Sequence, residues 1–107
     1  MNMPSADNKP WIVRSDGMAP ALEVVLIRQT VILSWGQFVY AESGDDEIRI
    51  AFASHDVIVK GSGLSPLLRA ITDHRVVSIR ESARSERFSM QEARFIREIE
   101  VRRVDAH

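Results

Sequence analysis

The run Lys60-Gly61-Ser62-Gly63, followed by Ser65-Pro66, is the stretch of this sequence best suited to hold a ligand. Glycines let the backbone approach an anion closely, and the first amides of a helix carry partial positive charge, so such a strand-to-helix connection can cradle a small anion. Lys60, Gly61, Ser62, Gly63 and Ser65 are therefore the candidate binding residues. The pattern is not a nucleotide signature. Pro66 stands where the dinucleotide fingerprint places its third glycine, and the Lys-Ser/Thr pair of the Walker loop is missing. A tight turn explains the same residues without any ligand.

His55-Asp56 and Asp73-His74 pair an imidazole with a carboxylate, the combination that serves acid–base or metal chemistry near neutral pH. Adjacent residues on a strand point to opposite faces, and neither histidine belongs to a His-x-x-x-His or His-x-Glu pattern. No metal, cofactor or catalytic residue is expected. Ser54, Ser62 and Ser65 lack the context of a nucleophile elbow and read as turn and cap residues. Trp35, Phe38, Tyr40 and Phe52 are enough rings for a base-stacking platform, yet core packing accounts for them more simply.

The whole chain bounds these readings. Its 107 residues make one domain, and with 45% hydrophobic residues it can build a core unaided. Lys and Arg number 14 against 15 Asp and Glu, which gives no general attraction to phosphate backbones or anionic lipid. The C-terminal arginines Arg80, Arg84, Arg87, Arg94, Arg97, Arg102 and Arg103 are interleaved with Glu81, Glu86, Glu92, Glu98, Glu100 and Asp105, a mixed-charge pattern typical of a solvated face. The absence of cysteine excludes disulfides, thiolate catalysis, cysteine-bound zinc and iron–sulfur clusters. No signal peptide is visible, and Leu22–Trp35 is broken by Glu23, Arg28, Gln29 and Thr30, so neither a membrane span nor secretion is expected and the location reads as cytoplasmic.

Which elements would position these residues? Met1–Pro10 is polar and aperiodic and reads as a disordered N-terminal arm before a single domain over 11–107. Trp11-Ile12-Val13 is a short strand or an anchor for its indole. The β-branched run Leu22–Trp35 predicts two strands or one bent strand, with a helix as the alternative. Around Ser43-Gly44-Asp45-Asp46, alternation predicts a hairpin that buries Phe38, Tyr40, Ile48, Ile50 and Phe52 and turns Arg49, Ala51 and Ala53 outward. Val57–Val59 forms the next strand, Pro66–Asp73 a short helix capped by Ser65, and Arg75–Arg80 another strand. Glu81–Arg87 reads as a solvated connection. Ser89-Met90-Gln91-Glu92 opens a C-terminal helix from about 89 with Phe95, Ile96 and Ile99 as its stripe; a terminal strand, from Ile99 and Val101 alternating with charges, is the lesser alternative.

The segment Val57-Ile58-Val59-Lys60-Gly61-Ser62-Gly63-Leu64 resembles the second motif of Sm-like proteins: an apolar strand, a basic residue, glycine, two spacers and an apolar residue. The resemblance covers under a tenth of the chain. It implies a small bent barrel assembled into a ring and binding RNA, with Lys60 as a contact. Taken together, the residues predict a mainly β, α+β domain of about five strands in a small antiparallel sheet or barrel, with a short helix near 66–73 and a C-terminal helix. Sheet edges must be covered, and Leu22–Trp35 is more apolar than one hairpin can shelter. The expected function is therefore a non-enzymatic binding and assembly module acting as a homo-oligomer. Sm-like RNA binding and small-anion binding at Gly61–Ser65 are the alternatives.

Overall fold

The structure, a computed structural model, describes residues 9–82 and 95–104. Along the chain run β1 (Trp11–Val13), β2 (Ala21–Val25), β3 (Thr30–Ser34), a 3-10 turn (Trp35–Gln37), β4 (Phe38–Ser43), β5 (Glu47–Phe52) and β6 (His55–Ser62). After these come α1 (Ser65–Thr72), β7 (Val76–Arg80) and β8 (Phe95–Arg103). The strands form two four-stranded sheets, ordered β1-β7-β2-β3 and β4-β5-β6-β8. All neighbouring strands run antiparallel except β2 and β7, which are parallel.

This corrects the expectation of a single sheet or barrel of about five strands: among the described residues eight strands make two open sheets. It also corrects the C-terminal helix, because Phe95–Arg103 is a nine-residue strand paired along β6. Residues 83–94, where that helix was to begin, lie outside the described residues, as do residues 1–8 of the expected arm. The Leu22–Trp35 run does form two strands, turned through Leu26–Gln29, where the Leu26 amide donates to the Gln29 carbonyl at 2.8 Å.

One apolar core is shared by both sheets and α1. Leu22, Val24 and Ile79 enter it from the first sheet, Ile48, Ile50, Val57, Val59 and Ile96 from the second, and Leu67 and Ile71 from the helix. Each large aliphatic side chain so buried contributes about 1.5–3 kcal/mol. Irregular pairing decides part of what faces inward. In β4 the register passes from Phe38 opposite Phe52 directly to Tyr40 opposite Ala51, so Val39 is a bulged extra residue. The bulge reverses the parity of the rest of β4: Ala41 packs against the core, and Tyr40, expected inside, is 43% exposed. Bulges at Arg97 in β8 and at Val77 in β7 act the same way, so Ile96 and Ile99, like Val76 and Ile79, are buried three residues apart within strands.

The end of α1 holds an unusual residue. His74 sits at φ +54°, a left-handed conformation that glycine usually supplies after a helix. Its amide donates to the Ile71 carbonyl at 2.9 Å and the Arg75 amide to the Ala70 carbonyl at 3.1 Å, the paired bonds of a Schellman termination. The imidazole stacks on Trp35 at 5.0 Å between ring centres, with Phe38 edge-on at the same distance. Ring contacts of this kind offset the backbone strain. His74→Ala keeps the strain and loses the rings, whereas His74→Gly relieves it. The alanine variant is expected to be the less stable by about 1 kcal/mol, read from urea midpoints; equal midpoints would remove the strain argument.

Candidate functional site

The predicted anion loop is placed differently from the sequence reading. Lys60, Gly61 and Ser62 all belong to β6, and only Gly63, at φ +62°, makes the turn. The helix cap is Leu64 rather than Ser65, and no side chain completes it. The Gly61 amide is already engaged with the Asp46 carbonyl at 3.0 Å. Lys60 stands in register between Glu47 on β5 and Glu98 on β8. Beside the turn is a cavity of about 140 Å³ whose lining residues include Ser43, Gly44, Asp45, Glu47, Ser65 and Leu68. Those acids oppose an anion at the position where the loop would present one.

The outward face of the second sheet carries two ion pairs among the described residues. Arg49 on β5 meets Asp56 on β6 at 2.6 Å, and Arg102 meets Glu100 within β8 at 2.8 Å. The hydrogen bond and charge of Asp56 raise the Arg49 pKa further, and the hydrogen bond from Arg102 holds the Glu100 carboxyl below its ordinary range. That ion pair is therefore complete above the ordinary carboxylate range and is lost only as pH falls through the lowered value. Ile58 lies between Arg49 and Glu100 in register and is 8% exposed although it points outward, since such long side chains cover apolar surface with their stems.

Among the described residues neither His55 nor His74 is hydrogen-bonded to a carboxylate. Asp56 is taken by Arg49, so it does not orient His55, whose Nδ1 shares a 2.7 Å hydrogen bond with the exposed Ser54 hydroxyl. His74 is part of the aromatic cluster. Among the described residues no group of three or more His, Asp and Glu side chains could hold a metal ion, and no helix is long and apolar enough to cross a membrane. The Glu81–Arg87 connection, expected to be solvated, is structural in the part described: Ser82 is buried, with its hydroxyl donating to the Ile96 carbonyl.

The outward face of the first sheet is different in kind. Ile12, Ser78, Glu23 and Ile32 form one cross-strand row over β1, β7, β2 and β3, with Ile12 46% and Ile32 66% exposed at its two ends. The β2–β3 ladder begins at the bonded pair Leu26–Gln29 and closes at Pro20–Trp35, where the Trp35 amide donates to the Pro20 carbonyl. By the alternation of an antiparallel ladder, the amides and carbonyls of Thr30 and Ile32 and the amide of Ser34 then point away from β2, along an edge that no described strand pairs, while the Ser34 carbonyl opens the 3-10 turn. Sequence reasoning marked this run as too apolar for one hairpin but gave no means to tell that Ile32 lies on the uncovered side. No protein-family model matches the chain, and no curated protein or solved structure is significantly similar to it.

Proposed function

We propose that this chain is a non-enzymatic binding and assembly module that acts as a homo-oligomer. The observation that carries this reading is the β3 border of the first sheet, where exposed Ile32 coincides with backbone groups that no described element pairs. Exposed strand edges of this kind are sites of strand addition. The alternatives draw less support. Lys60 is flanked by Glu47 and Glu98, and Asp45 and Glu47 border the Gly61–Ser65 turn, so both phosphate-directed readings must overcome nearby carboxylates.

Light scattering of the purified chain at low micromolar concentration tests the reading. A particle mass that is a multiple of 12.1 kDa is the expected result. A 12.1 kDa particle overturns it. Binding of single-stranded RNA at low salt, weakened by Lys60→Ala, would transfer the assignment to RNA recognition.

A further inference from the structure

The geometry points to a specific partner for the β3 edge: a second copy of the same edge, paired antiparallel about a twofold axis through Ile32. This rests on the homo-oligomeric reading above and adds the surface and the register. About that axis Ile32 faces Ile32 of the second copy as a hydrogen-bonded pair, and Thr30 faces Ser34, whose amide donates to the Thr30 carbonyl while its own carbonyl is held by the 3-10 turn. The exposed Ile32 side chains then meet on the outward face, and half-buried Val31 gains cover from Leu33 across the edge. The two four-stranded sheets become one continuous sheet.

Charge selects this occupant and this edge. Pairing a strand with itself brings like residues close together, and no charged residue occurs between Gln29 and Ala41. The other three edges are guarded. β1 has only three residues and β4 carries the Val39 bulge with Glu42. Along β8 the Ile99 amide is already held by the Glu81 carboxylate at 3.1 Å, and the Ile96 carbonyl by Ser82. β3 has neither a bulge nor a lysine, the devices that protect exposed edges.

Two variants of the full chain test the pairing. Ile32→Lys changes an exposed side chain whose amide is not used within the fold, so its circular dichroism and melting curve should match the parent, while a lysine beside its counterpart raises the dissociation constant by about tenfold or more. Because the chain has no cysteine, Ile32→Cys supplies a single thiol per copy, and a short bis-maleimide should link two copies in high yield. Ile12→Cys, at the far end of the same face, should not be linked. A parent that is monomeric overturns both the pairing and the homo-oligomeric reading. A parent that is oligomeric, but indifferent to Ile32→Lys and linked no better through Cys at 32 than at 12, overturns the pairing alone.

Discussion

Replacing Trp35 with alanine is expected to cost about 3–5 kcal/mol, a large share of the roughly 5–15 kcal/mol that holds a domain of this kind together. Trp35 is nearly fully buried and touches three other rings: Phe38 and Phe52 at 5.6 and 5.5 Å between centres, and His74 at 5.0 Å. Its indole Nε1 also donates to the Val76 carbonyl at 2.9 Å. One side chain in the turn between β3 and β4 thus reaches β5, the end of α1 and β7. Removing it leaves a cavity and an unpaired buried carbonyl together. Trp35→Phe separates the two effects, since it retains a ring but no donor, and should cost about 1–3 kcal/mol. Guanidinium denaturation followed by circular dichroism reads both. If the phenylalanine variant matches the parent, the indole hydrogen bond adds nothing; if the alanine variant loses under about 1 kcal/mol, the cluster is not the centre of the core.

The second large effect concerns Glu81. Its amide donates to the Val25 carbonyl at 2.9 Å, which fixes the residue directly after β7. From there its two carboxylate oxygens diverge, one accepting from the Ile27 amide at 3.2 Å and the other from the Ile99 amide at 3.1 Å. A single side chain therefore ties the β2–β3 turn of the first sheet to β8 of the second. Hydrogen bonds to a charged group contribute about 1.5–3 kcal/mol in favourable sites, and the Ile27 end is exposed, so Glu81→Ala should cost about 2 kcal/mol. Glu81→Gln keeps only one accepting oxygen and should fall between the two. Amide exchange is the sharper readout: in the alanine variant the Ile99 amide should exchange markedly faster while those of Val57 and Val59 are unchanged. Unaltered protection of Ile99 would show that β8 holds its place without the carboxylate. Loss of the carboxylate also frees the β8 edge, so Glu81→Ala should aggregate more readily than Trp35→Phe at equal stability.

Much of the strand pattern was legible because the hairpins are local. The Ser43–Asp46 turn, the alternation of Ile48, Ile50 and Phe52, and the polar break in Leu22–Trp35 depend on neighbours in sequence, and the structure has strands at each. The errors share one cause. In three places a bulge places inward residues three apart, which mimics helical spacing. Ile96 and Ile99 around Arg97 are the case in which that spacing was read as a helix, and Tyr40 is the case in which an unseen bulge turned an expected core ring outward. A bulge is a relation between two strands, so one strand's sequence does not reveal it. The surroundings of the Gly61–Ser65 turn were hidden from the sequence for a related reason. The Gly61 amide and Lys60 are engaged by, or set beside, Asp46, Glu47 and Glu98, residues that come from other strands.

The order of hydrophobic and polar residues by itself determined that this chain is mainly β, where most of its turns fall, and that a helix follows Gly63. Which strands adjoin was decided only by tertiary packing, including the parallel contact of β2 with β7 and the addition of β8 to β6. Edge status was decided there as well, leaving β3 unpaired on one side among the described residues while Glu81 and Ser82 occupy part of β8. Local alternation sets what a strand can bury. Long-range pairing sets what it must leave exposed, and the outward backbone groups of Thr30 and Ile32 belong to that second category.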